Sequence, residues 1–360
     1  MSSRSRLLCT PGRGFALAAV LWLLAGLSVL IVSASVSMLT VARTARDLEG
    51  RVRVELALQR ATAAVAYLVL THQTIGTGVQ VGNVVLPLDG SSRLRLEGGA
   101  EVRLQDQMGL IGINSALGDN LRRLLVGCSA SASQAAGLVD ALLDYTDADS
   151  LKRVNGGESF EYAAQAMPPP RNQFLASRAE LWQVLGWSTI RASWFDMRCD
   201  ELVTLANNEV INLWTAPLRV LLAVGMGGDE AAAALAERDR MRGANLLSPL
   251  LLSFRDRQGS SIQALSRFAV RSQGQVRVTV SVPGTLMARR FVISRVGPNH
   301  LAPYLVTEEE WVPAEFTKPP LPADPAEDGP TAALASYVES AAARSPSTNV
   351  QAPPIPAQQP

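Results

Sequence analysis

Carboxylates crowd one stretch of this 360-residue chain: Asp144-Tyr145-Thr146-Asp147-Ala148-Asp149, then Asn155-Gly156-Gly157-Glu158, then Tyr162. Close carboxylates repel unless protons or a cation lie between them. Hard cations such as calcium take about six to eight oxygen ligands, often from a loop with carboxylates at alternate positions. Asp144, Asp147, Asp149 and Glu158 suit that chemistry. The spacing is not that of an EF-hand, because the glycine is misplaced and no Glu stands at the twelfth position. A solvated acidic loop is the other reading of the same residues. Nothing else in the chain offers catalytic spacing. The two histidines, His72 and His300, stand alone, and no Gly-x-Ser-x-Gly elbow, Gly-rich phosphate loop or paired-Cys metal site occurs. Two carboxylates can hydrolyse glycosides, but no aromatic-lined sugar groove is legible, so an enzyme is not expected.

The elements that must hold this stretch begin with an apolar rod. After the basic leader with Arg4, Arg6 and Arg13, no charge occurs until Arg43, longer than the roughly 20 residues a helix needs to cross a bilayer. Arg4, Arg6 and Arg13 before the span are read as holding the N-terminus in the cytoplasm, with the body exported. From Arg43 to about Leu70, Leu48, Val52, Leu56, Val65 and Leu68 recur at helical spacing, with charges between them, and Gly76 and Gly78 end the pattern. Strand patterns follow at Val79–Leu86, Arg93–Leu96 and Glu101–Leu104, with Asp89-Gly90 and Gly98-Gly99 as turns. They return at Phe268–Val270, Val276–Val280 and Met287–Val296, with turns at Gln273-Gly274 and Pro283-Gly284. The Ala- and Leu-rich block between them reads as helical. The two sets of strands are therefore expected to meet across an insertion and form one sheet.

Inside that block, Ile113-Asn114 before Leu121-Arg122-Arg123-Leu124-Leu125 is echoed by Ile211-Asn212 before Leu218-Arg219-Val220-Leu221-Leu222. Each Asn is expected to cap a helix start, and Pro217 to sit in a first turn. The segment from Ile211 through Val224-Gly225-Met226-Gly227 to Arg242 looks like a helix-hairpin-helix. In nucleic-acid-binding versions the hairpin amides approach a phosphate. Here Asp229 and Glu230 would repel one, Arg238, Arg240 and Arg242 alternate with Glu237 and Asp239, and the net charge of +1 supplies no attractive field. A structural hairpin is the favoured reading; a membrane-tethered DNA receptor is the alternative. Trp182, Trp187, Trp194 and Trp214 fall in the same block, as core residues. Cys9 lies in the leader; Cys128 and Cys199 are either one disulfide or two buried thiols. From Thr317 on, Pro, Ala, Ser and Gln predominate, and a disordered tail is expected.

Gly14 followed by Phe15 at the head of the apolar rod resembles the cleavage site of type IV prepilins and pseudopilins. Most members carry Glu at the fifth mature position, where this chain has Ala19. That departure resembles protein K of the type II secretion system, a minor pseudopilin family. The same family is similar in its Leu-x-Asp-aromatic-x-Asp-x-Asp stretch (Leu142 or Leu143, Asp144, Tyr145, Asp147, Asp149), with Tyr145 where Trp is usual, and in Gly156-Gly157-Glu158, Tyr162, Pro169-Pro170-Arg171-Asn172 and Glu180-Leu181. The resemblance implies an α+β, pilin-like fold: a long N-terminal transmembrane helix on an antiparallel sheet, with a large all-α, helix-hairpin-helix-like insertion. Its parts would be the leader at 1–14, the membrane half of the helix at 15–42, the pilin domain at 43–112 and 256–316, the insertion at 113–255 and the tail at 317–360. It implies cleavage between Gly14 and Phe15 by a prepilin peptidase, methylation of the new N-terminus, and bound calcium. It implies a single-pass inner-membrane protein with a periplasmic body that caps the pseudopilus tip and helps initiate its assembly. Its partners would be other minor pseudopilins and the inner-membrane assembly platform.

Overall fold

The computed structural model describes residues 14–96, 99–115, 118–206, 209–241, 249–257, 268–269, 272–296 and 302–314. The leader with Cys9, Gly98, Arg242, Val270, His300 and the tail from Thr317 lie outside the described residues, as does the side chain of Phe15.

Helix α1 spans Gly14–Thr71, and the chain divides into two compact units after Leu56. In the first unit Leu17, Leu21, Trp22, Leu24 and their neighbours are exposed along the rod, which is long and apolar enough to cross a membrane. In the second unit the remainder of α1 buries Leu58, Ala61, Val65, Leu68 and Val69. Leu58, Ala61, Val65 and Leu68 fall three or four residues apart, and Val69 four from Val65, so they lie along one stripe of the helix. The helix stops at Thr71, before the glycines expected to end it. Gly78 serves a different purpose: a Cβ there would collide with the Leu86 carbonyl across a strand pair.

That pair belongs to a small antiparallel sheet of β1 (Gln73–Thr74), β2 (Gly78–Val81) and β3 (Val84–Pro87). The single strand expected over Val79–Leu86 is thus a hairpin, folded at Gly82-Asn83 with Gly82 at φ 57°. Strands β4 (Asp89–Arg95) and β5 (Glu101–Asp106) enter the main sheet. Asp89-Gly90, expected as a turn, begins β4, where the register slips between Asp89 and Arg93 and Gly90 takes φ 73°.

The insertion is built chiefly of helices. It holds helices α2 (Gly118–Gly127), α3 (Ala132–Thr146), α4 (Ser159–Ala164), α5 (Arg191–Asp196), α6 (Leu218–Ala223), α7 (Gly228–Met241) and α8 (Pro249–Arg257). Two parallel bridges join it to the flanking chain: β6 (Ile111–Gly112) with β7 (Val203–Thr204), and β8 (Ile211–Asn212) with β9 (Phe268–Ala269). Two-residue strands carry no usable periodicity. The echo between its halves has a physical meaning. Arg123 on α2 donates to the Ala223 carbonyl at the end of α6, and Arg219 on α6 donates to the Gly127 carbonyl at the end of α2. Each arginine satisfies the orphan carbonyls of the other helix. The two asparagines do not cap these helices. Asn114 bonds Leu175 and Leu205, and Asn212 bonds Gly76 and Asp106. Pro217 is the residue at the start cap of α6 rather than inside its first turn.

After the insertion come β10 (Gln275–Ser281), β11 (Met287–Arg295) and β12 (Tyr304–Pro313). The main sheet is antiparallel in the order β12-β11-β10-β5-β4, so the two halves do meet, with Val278 opposite Leu104 on one side and Phe291 on the other. β-Branched Val276, Val278 and Val280 suit a central strand and are buried. The intervening Arg277 is buried too and donates to the carbonyls of Glu201 and Val203 in the insertion. Arg290 pairs with Asp200 (2.8 Å) and Arg103 with Glu201 (3.0 Å) across the same junction. Strand β12 was not expected, because Glu308-Glu309-Glu310 are poor strand formers. Cross-strand pairs from Arg289 to Glu309 and Arg290 to Glu310 explain it.

Asp106, at the end of β5, locks the insertion to the sheet. Wholly buried, it accepts from the Met108 amide (3.2 Å), Asn212 Nδ2 (2.9 Å), Thr215 Oγ1 (2.9 Å) and Ser272 Oγ (2.8 Å).

Candidate metal centre

The acidic cluster is built on the end of α3. Ser131 starts that helix by accepting from the Gln134 amide. Ala135, Leu138, Val139, Leu142 and Tyr145 then face the core of the insertion. Trp187 donates to the Leu138 carbonyl at 2.8 Å and stacks edge-on against Trp194, which fixes the helix from the side. Asp147 follows the last turn, its amide bonded to the Leu143 carbonyl. It therefore sits at the negative end of the helix dipole, where a carboxylate is unfavourable and a cation favourable. The loop returns at Glu158, whose amide donates to Glu161 as α4 begins.

One carboxylate oxygen each from Asp147, Asp149 and Glu158 lies within 4.8 Å of the other two. Glu158 is 8% exposed, and its Oε1 is buried with no hydrogen-bond donor among the described residues reaching it. Asp147 Oδ1 and Asn172 Oδ1 are in the same condition. Asn172 adjoins the cluster: its Nδ2 donates to the Asp149 carbonyl at 3.3 Å and its amide to the Tyr145 carbonyl at 3.0 Å. Buried oxygens without donors are costly, and a hard cation is the partner that suits several at once. Burial holds the Glu158 carboxyl above its usual range, and the charges of Asp144, Asp147 and Asp149 push the same way.

Asp144 is placed differently. Wholly buried, it accepts from the Arg153 amide and from Arg153 Nη1 at 2.6 Å, and the same Nη1 reaches Asp147 Oδ2 at 2.5 Å. Gly156 is required by this pairing, since a Cβ there would collide with the Asp144 carboxylate and crowd the Asp140 carbonyl. Arg153 and Asn172 were not weighed as partners of the cluster from the sequence. The cation pair Lys152-Arg153 inside an acidic loop is the signal the sequence offers for the arginine. Nearby, Lys152 pairs with Glu161 (2.7 Å), and Tyr162 accepts from the Leu185 amide with its hydroxyl pushed up to about 12 by burial.

The other candidate residues fall elsewhere. Cys128 and Cys199 are bonded to each other, Cα–Cα 6.3 Å, tying the end of α2 to the turn after α5, with Arg219 against both sulfurs. The hairpin between α6 and α7 turns at Gly225 (φ 99°), and α7 opens on Asp229 and Glu230. Arg238, on α7, is buried against Asp89 (3.2 Å) and donates to the Trp214 and Ala216 carbonyls. Gly14 and Phe15 lie at the first turn of α1.

Comparison with known proteins bears on the segment that holds the cluster. Residues 103–191 match the family model described as type II secretion system (T2SS), protein K. Among solved structures, the chain is similar to one from the GspK-GspI-GspJ complex of the enterotoxigenic Escherichia coli type 2 secretion system. That match has 18% identity and a TM-score of 0.48, covering 75% of this chain and 99% of that one. No curated protein matches the chain. The likeness to type II secretion system protein K is thus carried by residues 103–191, from β5 through the acidic cluster to the start of α5.

Proposed function

We propose that the protein is a minor pseudopilin that caps the tip of the periplasmic pseudopilus and helps initiate its assembly. The observation that carries this reading is the protein K segment in an α+β body behind an apolar helix. The apolar rod is inserted in the inner membrane, with the leader arginines Arg4, Arg6 and Arg13 holding the N-terminus in the cytoplasm. The bonded pair Cys128–Cys199 suits a body in the oxidising periplasm. The prepilin peptidase cuts between Gly14 and Phe15, the new terminus is methylated, and the rod stays in the bilayer beside those of partner minor pseudopilins and the assembly platform. Ala19 frees the subunit from pairing with a subunit above it. The protein works by assembly rather than by catalysis. Its insertion is bulky, and nothing further stacks on it.

Asp147, Asp149 and Glu158, with Asn172 beside them, fit calcium: Asp147, Glu158 and Asn172 each hold a buried oxygen with no donor among the described residues, and Asp149 adds an exposed carboxylate. Bound there, calcium would supply charge neutralisation, joining the end of α3 to the start of α4. The DNA-receptor alternative loses support from Arg238, whose guanidinium is turned to Asp89.

Two measurements test the reading. Mass spectrometry of the protein from membranes should find Phe15 as the first residue, and a chain beginning beyond residue 33 would refute the anchored pseudopilin. The purified protein should also form a stable complex with the smaller minor pseudopilins of its own system; a body that ignores them would refute the capping role.

A further inference from the structure

Arg153 lies within the loop that runs from Asp147 to Glu158, and it is the cation nearest the cluster among the described ion pairs. Its two contacts are unequal. Asp144 is fully enclosed and held by both the backbone amide and Nη1 of Arg153, so that pairing belongs to the fold. Asp147 is shared: Oδ2 meets Arg153, Oδ1 is buried with no donor among the described residues, and one of the two oxygens lies within 4.8 Å of oxygens of Asp149 and Glu158. A guanidinium and a divalent ion drawn to one carboxylate repel each other, and in partly buried surroundings that repulsion is poorly screened.

We propose that Arg153 and a divalent cation compete for Asp147, so that Arg153 braces the loop when no ion is bound and sets how tightly an ion binds. The inference rests on the calcium reading above. By linkage, a cation at Asp147, Asp149 and Glu158 loosens the hold of Arg153 on Asp147 to the same degree that Arg153 weakens the cation. Arg153 is thus an affinity-setting residue and not a ligand.

The test is calorimetric titration of calcium chloride into the full chain in detergent. Arg153→Gln keeps a hydrogen-bond donor for Asp144 and Asp147 but removes the charge. It should bind calcium about tenfold or more tightly than the unaltered chain. Arg153→Lys keeps the charge and should bind as the unaltered chain does. An Arg153→Gln affinity equal to or weaker than that of the unaltered chain overturns the proposal. Asp149→Asn separates the two ideas: it should weaken binding in either background. If no variant binds calcium, and calcium leaves the melting temperature of the unaltered chain unmoved, the calcium reading falls and this proposal with it. Should Arg153→Gln fail to fold, the unaltered protein decides. Peptide mass spectrometry after treatment with a dicarbonyl arginine reagent should show Arg153 labelled several-fold faster in calcium. An unchanged or slower rate overturns the proposal.

Discussion

Removing the Asp106 carboxylate tests whether the insertion is locked to the sheet through one buried group. In Asp106→Ala the Thr215 hydroxyl still has the Asn212 carbonyl at 3.3 Å, and Asn212 keeps one amide hydrogen on Gly76. The Met108 amide, the Ser272 hydroxyl and the second Asn212 hydrogen lose their acceptor. A buried orphan donor costs about 1–3 kcal/mol. Three of them, offset in part by removal of a buried charge, give a loss of about 3–5 kcal/mol. That is a large share of the roughly 5–15 kcal/mol that holds a typical domain folded. Asp106→Asn keeps one acceptor oxygen but turns an N–H₂ group toward donors, and should lose about half as much. Burial, only partly opposed by Asn212, Ser272 and Thr215, holds the Asp106 carboxyl above its usual range. Between the ordinary carboxylate range and that raised value the native state binds more protons than the unfolded one. Stability therefore falls as pH rises through that window, and Asp106→Asn should lack that part of the slope. Urea unfolding of the full chain in detergent, followed by tryptophan fluorescence, reads both effects, because Trp187, Trp194 and Trp214 are buried in the insertion. A loss below about 1 kcal/mol for Asp106→Ala, well under the orphan-donor cost, would refute the lock.

Three other outcomes are expected. Reduction of Cys128–Cys199, or the paired serine substitution, opens a loop spanning 71 residues and should cost about 4 kcal/mol by chain entropy, seen as a lower urea midpoint. Gly156→Ala should displace the Asp144 carboxylate, destabilise the insertion by about 2–4 kcal/mol and weaken calcium binding in the same titration. Asp200→Ala leaves Arg290, 4% exposed, with Glu310 as its remaining carboxylate partner. It should cost about 3 kcal/mol in thermal or urea unfolding, and a neutral result would remove the Arg290–Asp200 pair from the junction's supports.

Much of the architecture was legible because its signals are local. The uncharged run from Gly14 to Ala42, the alternation Val276-Arg277-Val278-Thr279-Val280 and the Ala-Leu block between the strand sets each state their own period. The meeting of β5 with β10 followed from the order of those blocks. Misreadings arose where a partner decided the matter. Glu308-Glu309-Glu310 form a strand because Arg289 and Arg290 lie opposite. Gly82-Asn83 folds a segment whose apolar pattern reads as continuous. Asn114 and Asn212 resemble helix caps in sequence, yet they bond groups more than sixty positions away.

The candidate site divides in the same way. Asp147, Asp149 and Glu158 announce themselves by residue type and spacing, since like charges close in a chain need neutralising wherever the fold puts them. That Asp144 belongs to Arg153, that Asn172 presents a bare oxygen beside Asp149, and that Arg238 serves Asp89 rather than a phosphate were settled by the tertiary structure. A side chain's type and neighbours in the chain dictate what it can bond. Which of its possible partners it meets depends on loops closing over tens to hundreds of residues, and that choice is made by the packing of the whole body.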